Sequence, residues 1–142
     1  PYFSMEGPKS TGRELFNSKW IDAQLEKFSQ KKGGSFHIKN RDVQATFLEL
    51  TVYSIANEVK KTSTDMLIVC GGGVKNSYLI ERLKAELEDI EVASSDECGV
   101  SSEFMEAMAF AWLAHERVHK KHVKLSSVTG ASKDSILGAL YE

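Results

Sequence analysis

One stretch of the sequence, Asp65–Asn76 (DMLIVCGGGVKN), constrains the fold more than any other. Its apolar run Met66–Cys70 is short and continuous, which is the pattern of a strand covered on both faces in a parallel sheet. Gly71, Gly72 and Gly73 end the run. Glycines accept positive φ and let a ligand approach the backbone, and the N–H groups of a following helix favour an anion. The stretch therefore predicts a buried strand, a glycine turn that binds a phosphorylated ligand, and a helix.

The glycine turn leaves two alternatives open. Asn76 caps the next helix or hydrogen-bonds a sugar hydroxyl, and the glycines themselves could turn the chain without binding anything. The dinucleotide fingerprint is excluded because it needs a glycine at position 76, and the P-loop is excluded because it needs Gly-Lys-Ser/Thr. The pattern Gly-Gly-Gly-x-x-Asn after a buried strand resembles the adenosine-binding turn of the sugar-kinase, heat-shock-protein and actin superfamily.

Three further blocks strengthen this resemblance, and with the glycine turn they follow the order seen in anhydro-N-acetylmuramic acid kinases. The blocks are PKSTGRELFN (8–17), EAMAFAWLA (106–114) and SVTGAS (127–132). The resemblance covers only the C-terminal part of such a kinase. It implies that the N-terminal lobe, the first phosphate loop and the catalytic aspartate precede Pro1, so residues 1–142 are expected to form a single partial domain.

The composition is that of one folded domain with a modest core: 142 residues, of which 42% are hydrophobic and 27% charged. A net charge of −2 gives no general attraction to nucleic acid. No apolar run approaches the roughly 20 residues that cross a bilayer. Cys70 and Cys98 lack metal-type spacing and suit a reducing cytosol. We therefore expect a cytoplasmic protein with no nucleic-acid or membrane partner.

The periodicity predicts a helix-rich α/β fold with about two parallel strands, and the resemblance implies the C-terminal part of an actin-like ATPase (ribonuclease H-like) lobe. Removing the preceding strands of such a lobe would expose a sheet edge and apolar strand faces, so self-association as a homo-oligomer is expected. The predicted elements are helices starting at the capping box Thr11–Glu14 and at Asn40, a helix carrying Leu79–Leu87, strands Met66–Cys70 and Asp89–Ala93, a loop Ser94–Ser102, and helices Glu103–His119 and Ser132–Tyr141.

The helix Glu103–His119 is apolar almost all round, which predicts a central core helix, and the resemblance adds contact at the hinge between lobes. Glu106 lies near its N-terminus, where a carboxylate either faces solvent and the helix dipole or faces a site. In the resembling family, the matching glutamate belongs to the interlobe active-site region, where it would bind sugar hydroxyls.

Other polar groups carry weaker signals. His115, His119 and His122 share one helix face, but the cations around them favour a solvated helix end over a metal site. The run Lys9–Arg13 either lies near nucleotide phosphates or caps a helix. The segment Thr129–Ser132 either lines the nucleotide cleft or starts a helix.

The resemblance implies a bacterial enzyme that opens the 1,6-anhydro ring of anhydro-N-acetylmuramic acid with water and uses ATP and Mg²⁺ to phosphorylate O6. The product, N-acetylmuramic acid 6-phosphate, belongs to cell-wall recycling. The resemblance places part of the ATP site on this chain, at Gly71, Gly72, Gly73 and Asn76, with the sugar at Glu106. Without the missing lobe the chain is expected to be inactive. The alternatives are a stand-alone adenine-nucleotide-binding module and a structural α/β module.

Overall fold

The computed structural model describes residues 2–5, 11–34 and 38–141. Its main elements are the helices α1 (Ser18–Lys31), α2 (Asn40–Val59), α3 (Ser77–Glu86), α4 (Met105–Val118) and α5 (Ser126–Thr129), and the strands β1 (Met66–Val69) and β2 (Glu91–Ser94). Short 3-10 helices lie at Tyr2–Ser4 and Gly71–Lys75. The described part of the chain is thus helix-rich and contains two strands, which agrees with the predicted α/β fold.

The chain divides into two compact units, one within residues 1–43 and 124–134 and the other within 44–123 and 135–142. In the first unit, Phe16 contacts three aromatic rings, with centroids 5.0 Å from Trp20 and 5.4 Å from both Tyr2 and Phe3. In the same unit the Ser126 N–H donates to the Asp134 carboxylate at 3.0 Å.

The second unit contains the sheet and the core. β1 and β2 pair in parallel, with Met66 opposite Glu91 and Val69 opposite Ser94. Their connection through α3 gives the predicted strand–helix–strand unit. One core covers a single face of this sheet, and it joins α2, α3 and β2. Its buried members are Val52, Ala56, Leu83, Leu87 and Val92.

The opposite face of β1 differs from the prediction. Met66 is 40% exposed and Ile68 is 49% exposed, so the strand is covered on one face and not on both. The strand bounds also shift slightly, because β1 ends at Val69 and β2 runs two residues later at its start than predicted. A continuous apolar run therefore predicted the strand correctly and its surroundings incorrectly.

The prediction that α4 is a core helix is wrong. None of its residues is buried, and several large apolar side chains are exposed. The helix is also shorter at each end than predicted. Because α4 is apolar nearly all round, its sequence alone could not indicate which side a neighbouring element would cover. The most exposed large apolar side chains in and beside α4 are Phe104 (62%), Met108 (51%), Phe110 (64%), Trp112 (51%) and Val118 (65%).

Two predicted helices also differ from the structure. The helix expected at Thr11 begins instead at Ser18, because the Asn17 side chain accepts from the Trp20 N–H at 3.1 Å and caps α1 there. The helix expected over Ser132–Tyr141 does not form within the described residues. Asp134 instead accepts from the first turn of α5, and Gly138 has a φ of 86°, which interrupts a helix.

A partly buried ion pair joins α3 to α2. The Arg82 guanidinium donates to both Glu49 carboxylate oxygens, at 2.6 and 3.1 Å. This hydrogen bonding lowers the pKa of Glu49 below its ordinary range. A lowered folded-state pKa stabilises the fold above the unfolded carboxyl pKa of about 4.3, and the contribution disappears as the pH falls through the folded-state pKa.

We therefore expect Glu49→Gln to lower the melting temperature at pH 7 and to lower it progressively less as the pH falls toward 3. Thermal unfolding of both proteins between pH 3 and pH 7 measures the difference. The exposed acid variant Asp42→Asn is the control. A Glu49→Gln deficit that is equal at both pH values would contradict the expected linkage.

Candidate functional site

The polar groups of the second unit gather where β1 and β2 end. Ligands of open α/β sheets bind in the crevice beyond the carboxyl ends of parallel strands. The chain leaves β1 through Cys70 into the glycine turn and leaves β2 into the loop that reaches Ser102. The Gly71 N–H donates to the Ser102 carbonyl at 3.1 Å, so one hydrogen bond holds the two segments together.

The three glycines have different structural requirements. Gly71 has a φ of 72°, in the left-handed region, whereas Gly72 and Gly73 do not have positive φ. A Cβ on Gly73 would lie 3.6 Å from Leu79 Cδ2, in ordinary contact. A Cβ on Gly72 would meet nothing within 4 Å. The fold therefore requires glycine at 71, and the space in front of Gly72 is open.

Asn76 serves the fold. Its side chain accepts from the Leu79 N–H at 3.1 Å and caps α3, which was one of the two predicted roles. The glycines themselves form the 3-10 helix Gly71–Lys75, so α3 starts only at Ser77. Neither Asn76 nor Gly73 lines the cavity that the glycine turn borders.

That cavity has a volume of about 320 Å³ and joins residues from both segments. It brings together three of the five residues predicted for the site, namely Gly71, Gly72 and Glu106. The remaining lining residues, which the sequence analysis did not propose, are Lys75, Ser102 and Glu103. Lys75 lies inside the glycine motif, and this position could have indicated it. Ser102 and Glu103 follow a polar loop and carry no comparable signal.

Charges and hydrogen bonds organise the edge of this cavity. Lys75 forms an ion pair with Glu103, which raises the pKa of the lysine ammonium. Ser102 is 5% exposed, and its N–H donates to Asp96 at 3.0 Å. Hydrogen bonding to Ser102 lowers the pKa of Asp96, and the nearby Lys75 charge contributes. The edge therefore combines the Lys75 side chain with two acidic side chains, Glu103 and Glu106.

A larger depression, of about 540 Å³, is lined by residues of α1 alone, between Gln24 and Lys31. Since one helix supplies every lining residue, this depression is a surface groove without convergent chemistry. The cavity at the strand ends is smaller, but it combines glycine backbone, a cation and two carboxylates. We take it as the candidate site for that reason.

Among the described residues, none of the other candidate groups lines this cavity. The His115 and His119 rings are 4.1 Å apart, and no group of three potential metal ligands occurs among the described residues. Thr129 ends α5 and Gly130 follows in the left-handed region, so this segment forms a helix end and not a helix start. The first two residues of the predicted run Lys9–Arg13 lie outside the described residues. No helix in the described ranges has the length and hydropathy to cross a membrane.

The sequence matches known proteins along its whole length. A family model described as anhydro-N-acetylmuramic acid kinase matches residues 1–142. Curated relatives with that name include proteins from Sulfurimonas denitrificans (67% identical), Sulfurovum sp. (46%) and Mannheimia succiniciproducens (43%), each aligned over at least 99% of this chain. The chain spans 36–39% of the length of these relatives. The extent of the family match shows that this chain belongs to the anhydro-N-acetylmuramic acid kinase family.

Proposed function

We propose that this chain supplies part of the nucleotide and sugar site of an ATP-dependent anhydro-N-acetylmuramic acid kinase. The observation that carries the proposal is the cavity at the ends of β1 and β2, which joins Gly71 and Gly72 to Glu106. A family match alone does not show that these residues, which are distant in the sequence, lie close together in space. Their meeting in one cavity gives a place where a nucleotide and a sugar hydroxyl could both be bound.

The residues of the cavity fit the chemistry of phosphoryl transfer. The open space before Gly72 lets the flat face of an adenosine lie against the backbone. Lys75 places a positive charge beside this turn, where it would attract phosphate. Mg²⁺ would be held mainly by the phosphates of the bound nucleotide, since it usually takes only one or two carboxylates from the protein. When bound, Mg²⁺ neutralises phosphate charge.

Glu106 is the proposed sugar-binding residue. It lies in the first turn of α4 and faces the same cavity as the glycine turn. A carboxylate accepts hydrogen bonds from hydroxyl groups, so Glu106 would orient the sugar toward the nucleotide. Orientation of this kind contributes strongly to phosphoryl transfer, since positioning and electrostatics account for most of the catalysis.

We also propose that both units belong to one partial domain, the C-terminal part of an actin-like lobe, in a cytoplasmic kinase. The exposed apolar side chains of β1 and α4 support this, because a surface with Ile68, Phe110 and Trp112 exposed is suited to further polypeptide. The remaining part of a two-lobe kinase is the proposed cover. A second copy of the chain, as in a homo-oligomer, is the alternative.

Gly72→Val tests the nucleotide site. In a full-length kinase that carries this sequence, we expect the KM for ATP to rise about tenfold or more, because a side chain forced into an occupied space costs about 1–3 kcal/mol. The melting temperature should stay unchanged, since Gly72 has no positive φ and no neighbour within 4 Å of the added Cβ. Steady-state kinetics against ATP gives the measurement.

Gly71→Ala is the matched contrast. Its φ of 72° makes any side chain strained, so this variant should lose stability. An unchanged KM for ATP in Gly72→Val would remove the glycine turn from the nucleotide site. The backbone conformation of the turn would then be the only remaining explanation for the three glycines.

A further inference from the structure

The ion pair between Lys75 and Glu103 joins two residues that line the candidate cavity. Lys75 ends the 3-10 helix that follows β1, whereas Glu103 precedes α4, and both line the cavity. Among the described residues that line it, Lys75 is the only cationic side chain, and Glu103 and Glu106 are the two acidic ones. An anionic ligand that enters the cavity would therefore compete with Glu103 for Lys75.

This pair has the properties of a contact that is easily exchanged. The side chains of Lys75 and Glu103 are 67% and 59% exposed, and exposed ion pairs contribute only about 0.2–1 kcal/mol. The Glu49–Arg82 pair is different, because its side chains are 26% and 28% exposed and joined by two hydrogen bonds. The fold depends on the second pair far more than on the first.

We propose that Lys75 is a specificity-determining residue that leaves Glu103 to bind a phosphate group of the ligand, with Glu103 as its internal competitor. This inference rests on the proposed kinase function. A lysine ammonium offers three donors on a flexible stem, so it can follow a phosphate oxygen without any backbone movement. Glu103 is already largely solvated, and the start of α4 next to it favours a negative charge. Releasing Glu103 therefore costs little.

Lysine is ordinarily protonated at neutral pH, so Lys75 carries its positive charge whether it contacts Glu103 or a phosphate. In the absence of phosphate, Glu103 neutralises the lysine and lowers its attraction for other anions. The pair would thus favour ligands whose phosphate charge exceeds that of a single carboxylate. Phosphate could come from the nucleotide or from the phosphorylated sugar, and the experiment separates these sources.

The test measures equilibrium binding of ATP, adenosine and N-acetylmuramic acid 6-phosphate to a full-length kinase that carries this sequence. Lys75→Met should weaken binding of ATP or of N-acetylmuramic acid 6-phosphate, whichever places its phosphate at Lys75. The expected loss is about tenfold, which corresponds to about 1.4 kcal/mol, and adenosine binding should stay unchanged. Glu103→Gln should strengthen the same binding roughly two- to fivefold, because it removes the competitor. Weakened ATP binding would identify the nucleotide phosphate, and weakened sugar-phosphate binding would identify the product phosphate.

Opposite effects of the two substitutions are the signature of exchange, since a purely structural ion pair would respond with the same sign to the loss of either partner. The exposed pair Lys61–Glu58, with a separation of 3.0 Å and side chains 62% and 52% exposed, provides matched controls. Lys61→Met and Glu58→Gln should leave all three affinities unchanged.

Two results would overturn the inference. Effects of equal sign from Lys75→Met and Glu103→Gln, or no effect from either while the unaltered protein binds ATP, would refute the exchange and leave the kinase function standing. Failure of the unaltered protein to bind ATP and the sugar phosphate would refute the proposed function, and this inference with it.

Discussion

Replacing Glu106 with alanine is expected to lower kcat/KM for anhydro-N-acetylmuramic acid at least about tenfold in a full-length kinase that carries this sequence. A tenfold loss corresponds to about 1.4 kcal/mol of transition-state stabilisation. The reason is that Glu106 lines the same cavity as Gly71 and Gly72, so its removal would free the sugar from its orientation toward the nucleotide. Steady-state kinetics with the sugar as the varied substrate measures this loss.

The control must separate a site residue from a helix-dipole effect. Asp42 is also a carboxylate in the first turn of a helix, α2, and its side chain is 58% exposed. Asp42→Ala should therefore cost a few tenths of a kcal/mol of stability, as any first-turn carboxylate does, without changing kcat/KM. Wild-type kinetics in Glu106→Ala would leave Glu106 with the same dipole role as Asp42.

Replacing Leu83 with alanine is expected to lower the free energy of unfolding by about 2–5 kcal/mol, the range for a fully buried leucine. Leu83 is 0% exposed and lies in the core that joins α3 to α2 and β2. Its truncation would leave a void beneath the sheet. Chemical denaturation, followed by the far-ultraviolet circular dichroism of the helices, measures the change.

Leu140→Ala serves as the matched control, because this leucine is 65% exposed and its truncation should change stability by less than about 0.5 kcal/mol. Similar losses of unfolding free energy in the two variants would show that the burial of Leu83 does not determine its contribution to stability.

Local sequence signals predicted the strand–helix–strand unit well. The apolar run before the glycines predicted β1, and the Asn76 side chain caps α3 as one of its two predicted roles required. Such signals depend on neighbours within a few positions. The start of α1 could not be resolved in this way, because the capping box at Thr11 and the single cap at Asn17 compete within one turn or two. The structure selects Asn17.

The surroundings of an element were harder to predict than its type. An apolar helix such as α4 predicts burial only if another element packs against it, and sequence periodicity cannot supply that element. The same applies to the exposed face of β1. The candidate site shows this limit as well: Glu106 was proposed from its position in an apolar helix together with the family resemblance, whereas Glu103 and Ser102 enter the cavity through a loop whose path no local pattern indicates.

All six residues that line the candidate cavity lie between positions 71 and 106 of the chain. They are brought together by a single strand–helix–strand connection and the loop after it, so contacts such as Lys75–Glu103, 28 residues apart in the chain, depend on the pairing of β1 with β2. Parallel pairing across a crossover connection requires loop closure before any contact is gained, and such pairing is a slow step in folding. The cavity therefore forms no earlier than the sheet does. Its formation during synthesis would follow directly from the pairing of β1 with β2, and any substitution that slows this pairing would delay the cavity equally.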